Sequence, residues 1–232
     1  QFIRKYLADH IIYQSLTSKK LWDKTFNKVN TNFSIIHNPS FGDKKIFSKN
    51  LKSKNLFDIV IVEGNIENNN FNEKILKLIY SVSKKNKKIR KIFIFGRVDM
   101  ILREKLSKKK IIVFKGVVDQ DKLKKFYKRN NIIFFGVEFN PCCSNSIIEA
   151  NSYGIPSITL NTGSYKELVK KSGIQINFKN INSKSLYNKF SKSLSIVIKN
   201  YSYYSKLSII NSKKFDPDYI FNSYMNCIKK LK

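Results

Sequence analysis

The chain has 232 residues, of which 42% are hydrophobic and 26% are charged, so it can bury a full core and is globular rather than disordered. No apolar run approaches the roughly 18 to 20 residues of a membrane span, and no leader-like segment opens the sequence, so we expect a cytoplasmic protein. The formal net charge of +29 is typical of a nucleic-acid-binding protein. However, only five of the 45 basic residues are Arg, whose planar fork nucleic-acid readers favour. We therefore interpret most lysines as a solvated surface.

The cysteines and histidines give little support to other classes of site. Cys142 and Cys143 are adjacent and poorly placed for an ordinary disulfide, and Cys227 leaves an odd total, so we expect reduced thiols. No His neighbours them as a base, which disfavours a thiol nucleophile. His10 and His37 lie in short apolar stretches and are expected to be packed rather than to bind a ligand.

The first 38 residues predict a short strand-helix-strand unit. An amphipathic stretch at 2–8 precedes a strand at 10–13, a helix at 19–26 that is capped near Thr17 or Ser18, and a strand at 33–37. Residues 39–55 are rich in Lys, Ser, Asn and Gly, carry no period and read as a linker.

After the linker, apolar runs alternate with helical patterns, which predicts a parallel sheet in an α/β domain. The runs are 58–62, 91–95, 111–114, 132–135, 157–160 and 174–176, and predicted helices at 183–199, 201–212 and 219–231 end the chain. Ligands of such sheets bind beyond the carboxyl ends of the strands.

Three of the predicted strands end in candidate ligand loops. Gly64 and Asn65 follow the first run, with a polar turn as the alternative to phosphate contact. Arg97 ends the second run, where a solvated Arg is the alternative to a phosphate contact. Gly116 and Val117 end the third, where a simple strand-to-helix turn is the alternative.

The segment 140–167 has the order loop, helix, tight stop, strand, loop, helix. Asn145 is predicted to cap the first helix, and Gly154 with Pro156 to end it. Ser164 and Glu167 have the spacing of a capping box for the second helix. Two positive helix ends favour an anion such as a diphosphate, and a carboxylate four residues past Asn145, at Glu149, can accept from two sugar hydroxyls. The pattern suggests a nucleotide-sugar site, although any α/β domain has capped helices.

Residues 142–169, CCSNSIIEANSYGIPSITLNTGSYKELV, resemble the nucleotide-sugar-binding signature of the group 1 glycosyltransferases, also called glycosyltransferase family 4. The matching features are the Asn four residues before a Glu-Ala pair, the Gly-x-Pro and the Thr-Gly followed by Glu. The resemblance implies a retaining enzyme with the two-domain GT-B architecture. The chain would be the C-terminal, Rossmann-like half of that fold, with a short remnant of the N-terminal domain and a helical C-terminus.

The resemblance also implies roles for individual residues. Glu149 would hold the ribose and is our candidate catalytic residue, while Arg97 would substitute for the cations that the family places after the first strand. Backbone of Gly116 and Val117 would run past the base. The other candidate donor-binding residues are Gly64, Asn65, Cys143, Ser144, Asn145, Ser146, Thr162, Gly163 and Ser164.

This chain departs from the family pattern at Pro141, where the family usually has an acidic residue. We expect the loop amides of residues 142–144 to hold the donor sugar instead, with Glu138 at the surface. No metal or other cofactor is expected.

The resemblance divides the chain into an N-terminal-domain remnant at 1–38, a linker at 39–55, a nucleotide-sugar domain at 56–212, and a final helix at 213–232 that crosses back to the N-terminal domain. Residue 1 is Gln, and the only methionines are Met100 and Met225, so we expect most of the N-terminal domain to be missing and the fragment to be inactive alone.

The implied function is transfer of a hexosyl group from a nucleoside diphosphate sugar to a glycan or lipid-linked acceptor in cell-envelope glycan biosynthesis, with a possible peripheral contact to an anionic membrane at its inner face. Two alternatives stay open. One is a lysine-rich nucleic-acid-binding α/β domain, and the other is a non-catalytic relative of the glycosyltransferases.

Overall fold

The computed structural model describes residues 2–40, 42, 56–181 and 184–230. Within them, the strands are β1 His10–Tyr13, β2 Asn32–Ile35, β3 Phe57–Ile66, β4 Ile89–Val98, β5 Ile112–Gly116, β6 Ile132–Gly136, β7 Ser157–Leu160 and β8 Gly173–Ile176. The α-helices are α1 Leu16–Phe26, α2 Asn70–Lys85, α3 Met100–Ser107, α4 Gln120–Tyr127, α5 Asn145–Ser152, α6 Tyr165–Leu168, α7 Lys184–Lys199, α8 Tyr201–Ser212 and α9 Pro217–Lys229. A π-helical turn at Ile3–Leu7 and a 3-10 turn at Lys213–Phe215 complete the set. Most of the predicted linker lies outside the described residues.

The six strands β3 to β8 form one parallel sheet in the order β5-β4-β3-β6-β7-β8. Counted from β3, this is the strand order of a dinucleotide-binding fold, in which the chain direction across the sheet reverses between the first and fourth strands. The reversal here lies between β3 and β6. Strands β1 and β2 pair in parallel as a separate two-stranded sheet.

The strands form because they are short β-branched and aromatic runs buried on both faces. Ile59, Val60 and Ile61 of β3 are all fully buried, the first and third on one face of the sheet and the second on the other. Helices α2 and α7 pack their apolar stripes on the first face, and α5 packs on the second. The alternation in the sequence predicts every strand of this sheet, with each boundary within four residues of its position in the structure.

The helix starts were predicted less well than the strands. Helix α1 is capped by Ser15, not by Thr17 or Ser18, and Ser15 forms a reciprocal capping box with Ser18. Asp216 caps α9, because its carboxylate accepts from the Asp218 amide and Pro217 occupies the first turn. Among the described helices, none is both long and apolar enough to cross a membrane.

A buried ion pair holds the end of the sheet at which the strands begin, which we call the amino end. Asp58 in β3 is only 1% exposed. Its two carboxylate oxygens accept from Arg90 Nε at 2.9 Å and Arg90 Nη2 at 2.6 Å, and Arg129 Nη2 lies 3.1 Å away. The guanidinium of Arg129 also stacks over Phe93 and Phe126. Asp58 therefore links the start of β3 to the start of β4 and to the connection before β6.

Candidate functional site

A cavity of about 360 Å³ opens at the carboxyl ends of β3 and β6, where the strand order reverses. We call it the switch-point cavity. Its lining residues are Val62, Glu63, Gly64, Phe95, Gly96, Val117, Val118, Leu123, Glu138, Cys143, Ser144, Asn145 and Ser146. A parallel sheet of this order leaves its ligand crevice at this position.

The N-terminus of α5 forms one wall of the switch-point cavity. Ser144 is the N-cap residue, and Asn145 and Ser146 open the helix. Ser144 makes no side-chain cap bond to the helix amides, and its hydroxyl instead lies 3.1 Å from that of Ser146. The first turn therefore directs amide groups and the positive end of the helix toward the cavity, which favours an anion.

Two carboxylates, Glu63 and Glu138, line the switch-point cavity, and the buried Tyr165 supports Glu63 from behind. The Tyr165 hydroxyl is fully buried and donates to Glu63 Oε1 at 3.4 Å. Glu138 lines the same cavity and faces Glu63 closely enough for the two charges to repel. The cavity thus presents two Glu side chains and no Lys or Arg among its described lining residues, in a chain that carries 45 Lys and Arg.

This arrangement shifts the protonation of Glu63. Burial, reinforced by the nearby charge of Glu138, raises the pKa of Glu63 to about 8, although hydrogen bonds from the Val137 backbone and Tyr165 oppose the shift. Burial also raises the pKa of Glu138. Near neutral pH, Glu63 is therefore largely a neutral acid that can donate a hydrogen bond into the cavity.

A larger cavity of about 750 Å³ adjoins the first and shares Glu63, Gly64 and Glu138 with it. Its other polar lining residues carry side-chain amides, including Asn65 in β3 and Asn70 at the start of α2. Phe139 adds an aromatic ring that is 60% exposed and lies 5.1 Å from the Phe71 ring. Amides, carboxylates and an exposed ring suit a polyhydroxylated ligand.

Glu149 lies in a separate, smaller cavity of about 190 Å³, which shares Asn145 with the switch-point cavity. It hydrogen-bonds Gln120 and faces Lys124, both on α4. Burial raises the pKa of Glu149, and the Lys124 charge and the Gln120 hydrogen bond act in the opposite direction. We call residues 2–40 the N-terminal segment. Its last three residues, 38–40, form the opposite wall of this Glu149 cavity.

The predicted cap of α5 is wrong. Ser144 occupies the N-cap position without a capping bond from its side chain, and the carbonyl oxygen of the Asn145 side chain accepts from the Asn38 side-chain amide at 2.7 Å. The reason is that the N-terminal segment packs against the start of α5 and offers Asn145 a donor from outside the helix. Local sequence contains no sign of this partner, which is 107 residues away.

The predicted capping box at Ser164 and Glu167 is also wrong. Ser164 has a helical backbone (φ −69°, ψ −14°) rather than the extended one that a capping side chain needs, and α6 lasts only four residues. The Glu167 carboxylate instead accepts from the amides of Leu16 at 3.0 Å and Thr17 at 3.2 Å. Glu167 therefore compensates the positive N-terminus of α1.

The N-terminal segment also contacts the loop before α5 directly. The Ser15 hydroxyl donates to the carbonyl of Cys142, next to the cavity residue Cys143. With the contacts at Asn145 and Glu167, this makes three polar attachments between residues 15–38 and the loops of the candidate site. Further along the chain, the Cys227 thiol of α9 lies 3.3 Å from the Ser34 hydroxyl of the same segment.

The loop after β7 lies behind the cavity wall. Gly163 has a φ of +50°, and a Cβ there would meet Pro141 backbone atoms at 2.5 Å. The Ser164 amide donates to the Pro141 carbonyl at 2.8 Å, and the Thr162 hydroxyl accepts from the Asn140 amide at 3.4 Å. Thr162, Gly163 and Ser164 thus contact the loop 140–144 from behind. To contact a phosphate, the Ser164 amide would have to give up its bond to the Pro141 carbonyl.

The candidates on the other strands are spread around the rim. Gly116, with a φ of +66°, turns the chain so that Val117, which is 72% exposed, lines the cavity. Arg97 is exposed in β4, in register beside Asn65. In the described part of the chain, Arg97 does not line the switch-point cavity.

The main features missed by the sequence analysis are Glu63 and Tyr165. Glu63 faces the cavity because β3 bulges between Val62 and Asn65, where Gly96 of β4 has a φ of +109° and its Cα packs against the Glu63 carbonyl. A Glu directly after the buried apolar run 58–62 is the signal that could have identified it. Among the described residues, no three His, Cys, Asp or Glu side chains group as a metal site would require. Metal independence stays a prediction.

Comparison with known families decides the class of this domain. The model of the family described as glycosyl transferases group 1 matches residues 43–206. The chain belongs to this family. A comparison with curated proteins found no match.

Solved structures show that this glycosyltransferase domain has the fold of GT-B enzymes, as predicted. It resembles the pneumococcal O-GlcNAc transferase GtfA, solved with UDP and GlcNAc (TM-score 0.69, 14% identity, 96% of this chain and 45% of that one). It also resembles Anabaena Alr3699/HepE, solved with UDP and glucose (TM-score 0.69, 14% identity, 96% and 64%), and the lipopolysaccharide outer core galactosyltransferase WaaB in its apo form (TM-score 0.70, 15% identity, 97% and 63%). The glycosyltransferase chain thus spans between 45% and 64% of the length of these three proteins.

Proposed function

We propose that this domain binds the nucleoside diphosphate of a sugar donor in the switch-point cavity. In the complete protein, a hexosyl group would pass with retention of configuration to a glycan or lipid-linked acceptor of the cell envelope. The observation that carries the proposal is the position of the cavity: it lies at the strand-order reversal and faces the N-terminus of α5. Family membership and relatives solved with UDP support it. A cytoplasmic location is part of the proposal.

In this proposal the diphosphate lies at the first turn of α5, against the amides of residues 143–146. Glu149 accepts from the ribose hydroxyls by exchanging its bond to Gln120, and the sugar extends into the larger cavity beside Glu138. The helix end and loop amides stabilise the charge that develops on the leaving diphosphate, since the described walls offer no Lys or Arg for this purpose. The domain contributes positioning and charge stabilisation, and a further domain would supply the acceptor contacts.

Replacing Glu149 by Gln tests the ribose assignment. The change preserves size but weakens acceptance from two hydroxyls, so we expect UDP to bind about 5- to 150-fold more weakly, or roughly 1 to 3 kcal/mol, by isothermal titration calorimetry. Glu104→Gln, at an exposed position on α3, is the matched control and should bind UDP like the wild type. Unchanged UDP affinity in Glu149→Gln would remove Glu149 from the site.

The raised pKa of Glu63 predicts a pH dependence for the same titration. Because Glu63 loses its proton as the pH rises through about 8, a second negative charge forms beside the diphosphate. UDP affinity should therefore fall roughly 10-fold between pH 7 and pH 9, the equivalent of about one pKa unit of repulsion. In Glu63→Gln this decline should be absent, whereas Glu67→Gln, four residues further along the chain and outside the described cavity walls, should retain it. If UDP affinity fell equally with pH in Glu63→Gln and in the wild type, the proposal would be contradicted.

A second candidate, a non-catalytic relative, is favoured by one observation. The cavity has carboxylates where a cation clamp would be expected, and Pro141 occupies the position of the family's usual acidic residue. A non-catalytic relative would still bind UDP, which calorimetry measures. Under the same conditions, the complete protein would transfer no sugar from any UDP-sugar.

A further inference from the structure

The two ends of the six-stranded sheet differ sharply in charge. In a parallel sheet, every connection from a helix to the next strand lies at the amino end. Six of the eight residues at 84–91, all three at 108–110 and both at 128–129 are Lys or Arg, and none of these connections contains Asp or Glu. At the carboxyl end, Glu63, Glu67, Asp99, Asp119 and Glu138 lie at or follow the strand ends. These three amino-end connections therefore bring nine lysines and two arginines together with no acidic residue among them.

Helix dipoles explain only part of this separation. A cation in the last turn of a helix is stabilised by the helix carbonyls, but the effect fades beyond that turn. Lys87 and Lys88 follow the end of α2, and Lys108 to Lys110 follow the end of α3. The buried carboxylate of Asp58 is already paired with Arg90 and Arg129. Stabilisation of the helix ends and pairing with Asp58 therefore do not account for all the basic residues in these runs.

The amino end also contains a cavity of about 590 Å³, which we call the amino-end cavity. It lies between the connection from α2 to β4 and the junction of α7 with α8. Three exposed lysines line it, Lys87, Lys88 and Lys199, together with the amides Asn86 and Asn200. Tyr203, which is 61% exposed, lies at the same wall. Three ammonium groups and two amides around one concavity suit a phosphate group.

We propose that the amino end of the sheet docks on an anionic phospholipid surface, and that the amino-end cavity receives a lipid phosphate. Clusters of lysines are attracted to anionic bilayers, and an exposed Tyr suits the headgroup region. A nucleic acid fits less well because the two arginines of this end are engaged with Asp58, which leaves lysines as point charges rather than forks for base edges.

This docking does not depend on the proposed glycosyltransferase activity. It would, however, orient the donor site. The ten-residue strand β3 separates the two ends of the sheet by about 30 Å at roughly 3.3 Å per residue, so the switch-point cavity would face away from the bilayer. That orientation favours an acceptor saccharide that extends from the membrane over one that lies within the headgroup layer.

The test is sedimentation of the chain with vesicles of phosphatidylglycerol and phosphatidylcholine, and with phosphatidylcholine alone. We expect binding only to the anionic vesicles at roughly 100 mM salt, where charges at a surface still attract over about 10 Å. The variant Lys87→Gln/Lys88→Gln/Lys199→Gln should bind them about 100-fold more weakly, because each lysine near an anionic surface contributes about a factor of five. The variant Lys179→Gln/Lys184→Gln/Lys192→Gln loses the same charge from exposed positions elsewhere and should bind within a few-fold of the wild type.

Circular dichroism and UDP titration check that both variants remain folded, and UDP affinity should be equal with and without vesicles. Equal loss of vesicle binding in the two triple variants would overturn the proposal, since net charge alone would then account for the attraction. It would also be overturned if the wild type bound duplex DNA but not anionic vesicles at the same salt concentration. Vesicle binding without UDP binding would leave the docking proposal intact and contradict the proposed function.

Discussion

Removing both arginines that face Asp58, in the variant Arg90→Gln/Arg129→Gln, is expected to lower the free energy of unfolding by about 3 to 5 kcal/mol. The reason is an asymmetry in burial. The Asp58 side chain is 1% exposed, whereas the arginine side chains are 48% and 42% exposed and water can replace their partner. The double substitution leaves a buried carboxylate with neither of its partners.

Two further variants complete the comparison. Asp58→Asn removes the charge from the buried site and should cost less, about 1 to 2 kcal/mol, because the arginines can turn to solvent. Adding Asp58→Asn to the arginine variant should recover most of the lost stability. Urea unfolding followed by circular dichroism measures all three values. If the arginine variant were no less stable than Asp58→Asn, the burial argument would be wrong.

Replacement of Gly96 by Ala is expected to destabilise the domain by at least about 3 kcal/mol and to abolish UDP binding. A Cβ at this position would stand 1.6 Å from the carbonyl oxygen of Glu63, and the φ of +109° is unfavourable for any residue with a side chain. Relief of the clash requires β3 to move away from β4 at the bulge that turns Glu63 toward the cavity.

Gly64→Ala is the matched control, since Gly64 lies on the same cavity wall and a Cβ at this position would point into open space, with no neighbouring group within 4 Å. Its stability should stay within about 0.5 kcal/mol of the wild type. Thermal unfolding measures the stability of both variants and calorimetry measures their UDP affinity. A Gly96→Ala protein as stable as Gly64→Ala would show that the close approach of β3 and β4 is not required.

The sequence predicted the six-stranded sheet well because burial on both faces leaves an unmistakable pattern. Ile132 to Phe135 must be a strand in the core, and any short run of this kind between helical patterns implies a parallel sheet. The order of the strands was not available from such runs, because it depends on pairings between segments far apart in sequence.

The failures concern side chains whose partners are distant. Glu167 has capping-box spacing to Ser164, yet its carboxylate binds amides 150 and 151 residues away. Asn145 likewise bonds to Asn38 rather than to its own helix. Local propensity predicts which polar groups need a partner, but packing of the N-terminal segment determines which partner they find.

The features of the site that depend on local sequence were predictable, and those that depend on distant contacts were not. The positive end of α5 and the neighbouring Glu149 follow from local helix geometry, and both lie at cavities. The pair of carboxylates on the cavity wall does not follow from it, because Glu63, Glu138 and the supporting Tyr165 come from three separate parts of the chain. The common position of the basic runs at 84–91, 108–110 and 128–129 was equally hidden until the connections were assigned to ends of the sheet.

Under the proposed function, the attachment of the N-terminal segment through Ser15, Asn38 and Glu167 would couple nucleotide binding to the packing of this segment. The loop before α5 is shared: its inner side lines the switch-point cavity, and its Cys142 carbonyl accepts from Ser15. By thermodynamic reciprocity, a nucleotide that prefers the loop in its docked arrangement strengthens docking by the same factor by which docking strengthens nucleotide binding. If the proposed function holds, substitutions within residues 15–38 would alter donor affinity even though, among the described residues, none of them lines the switch-point cavity.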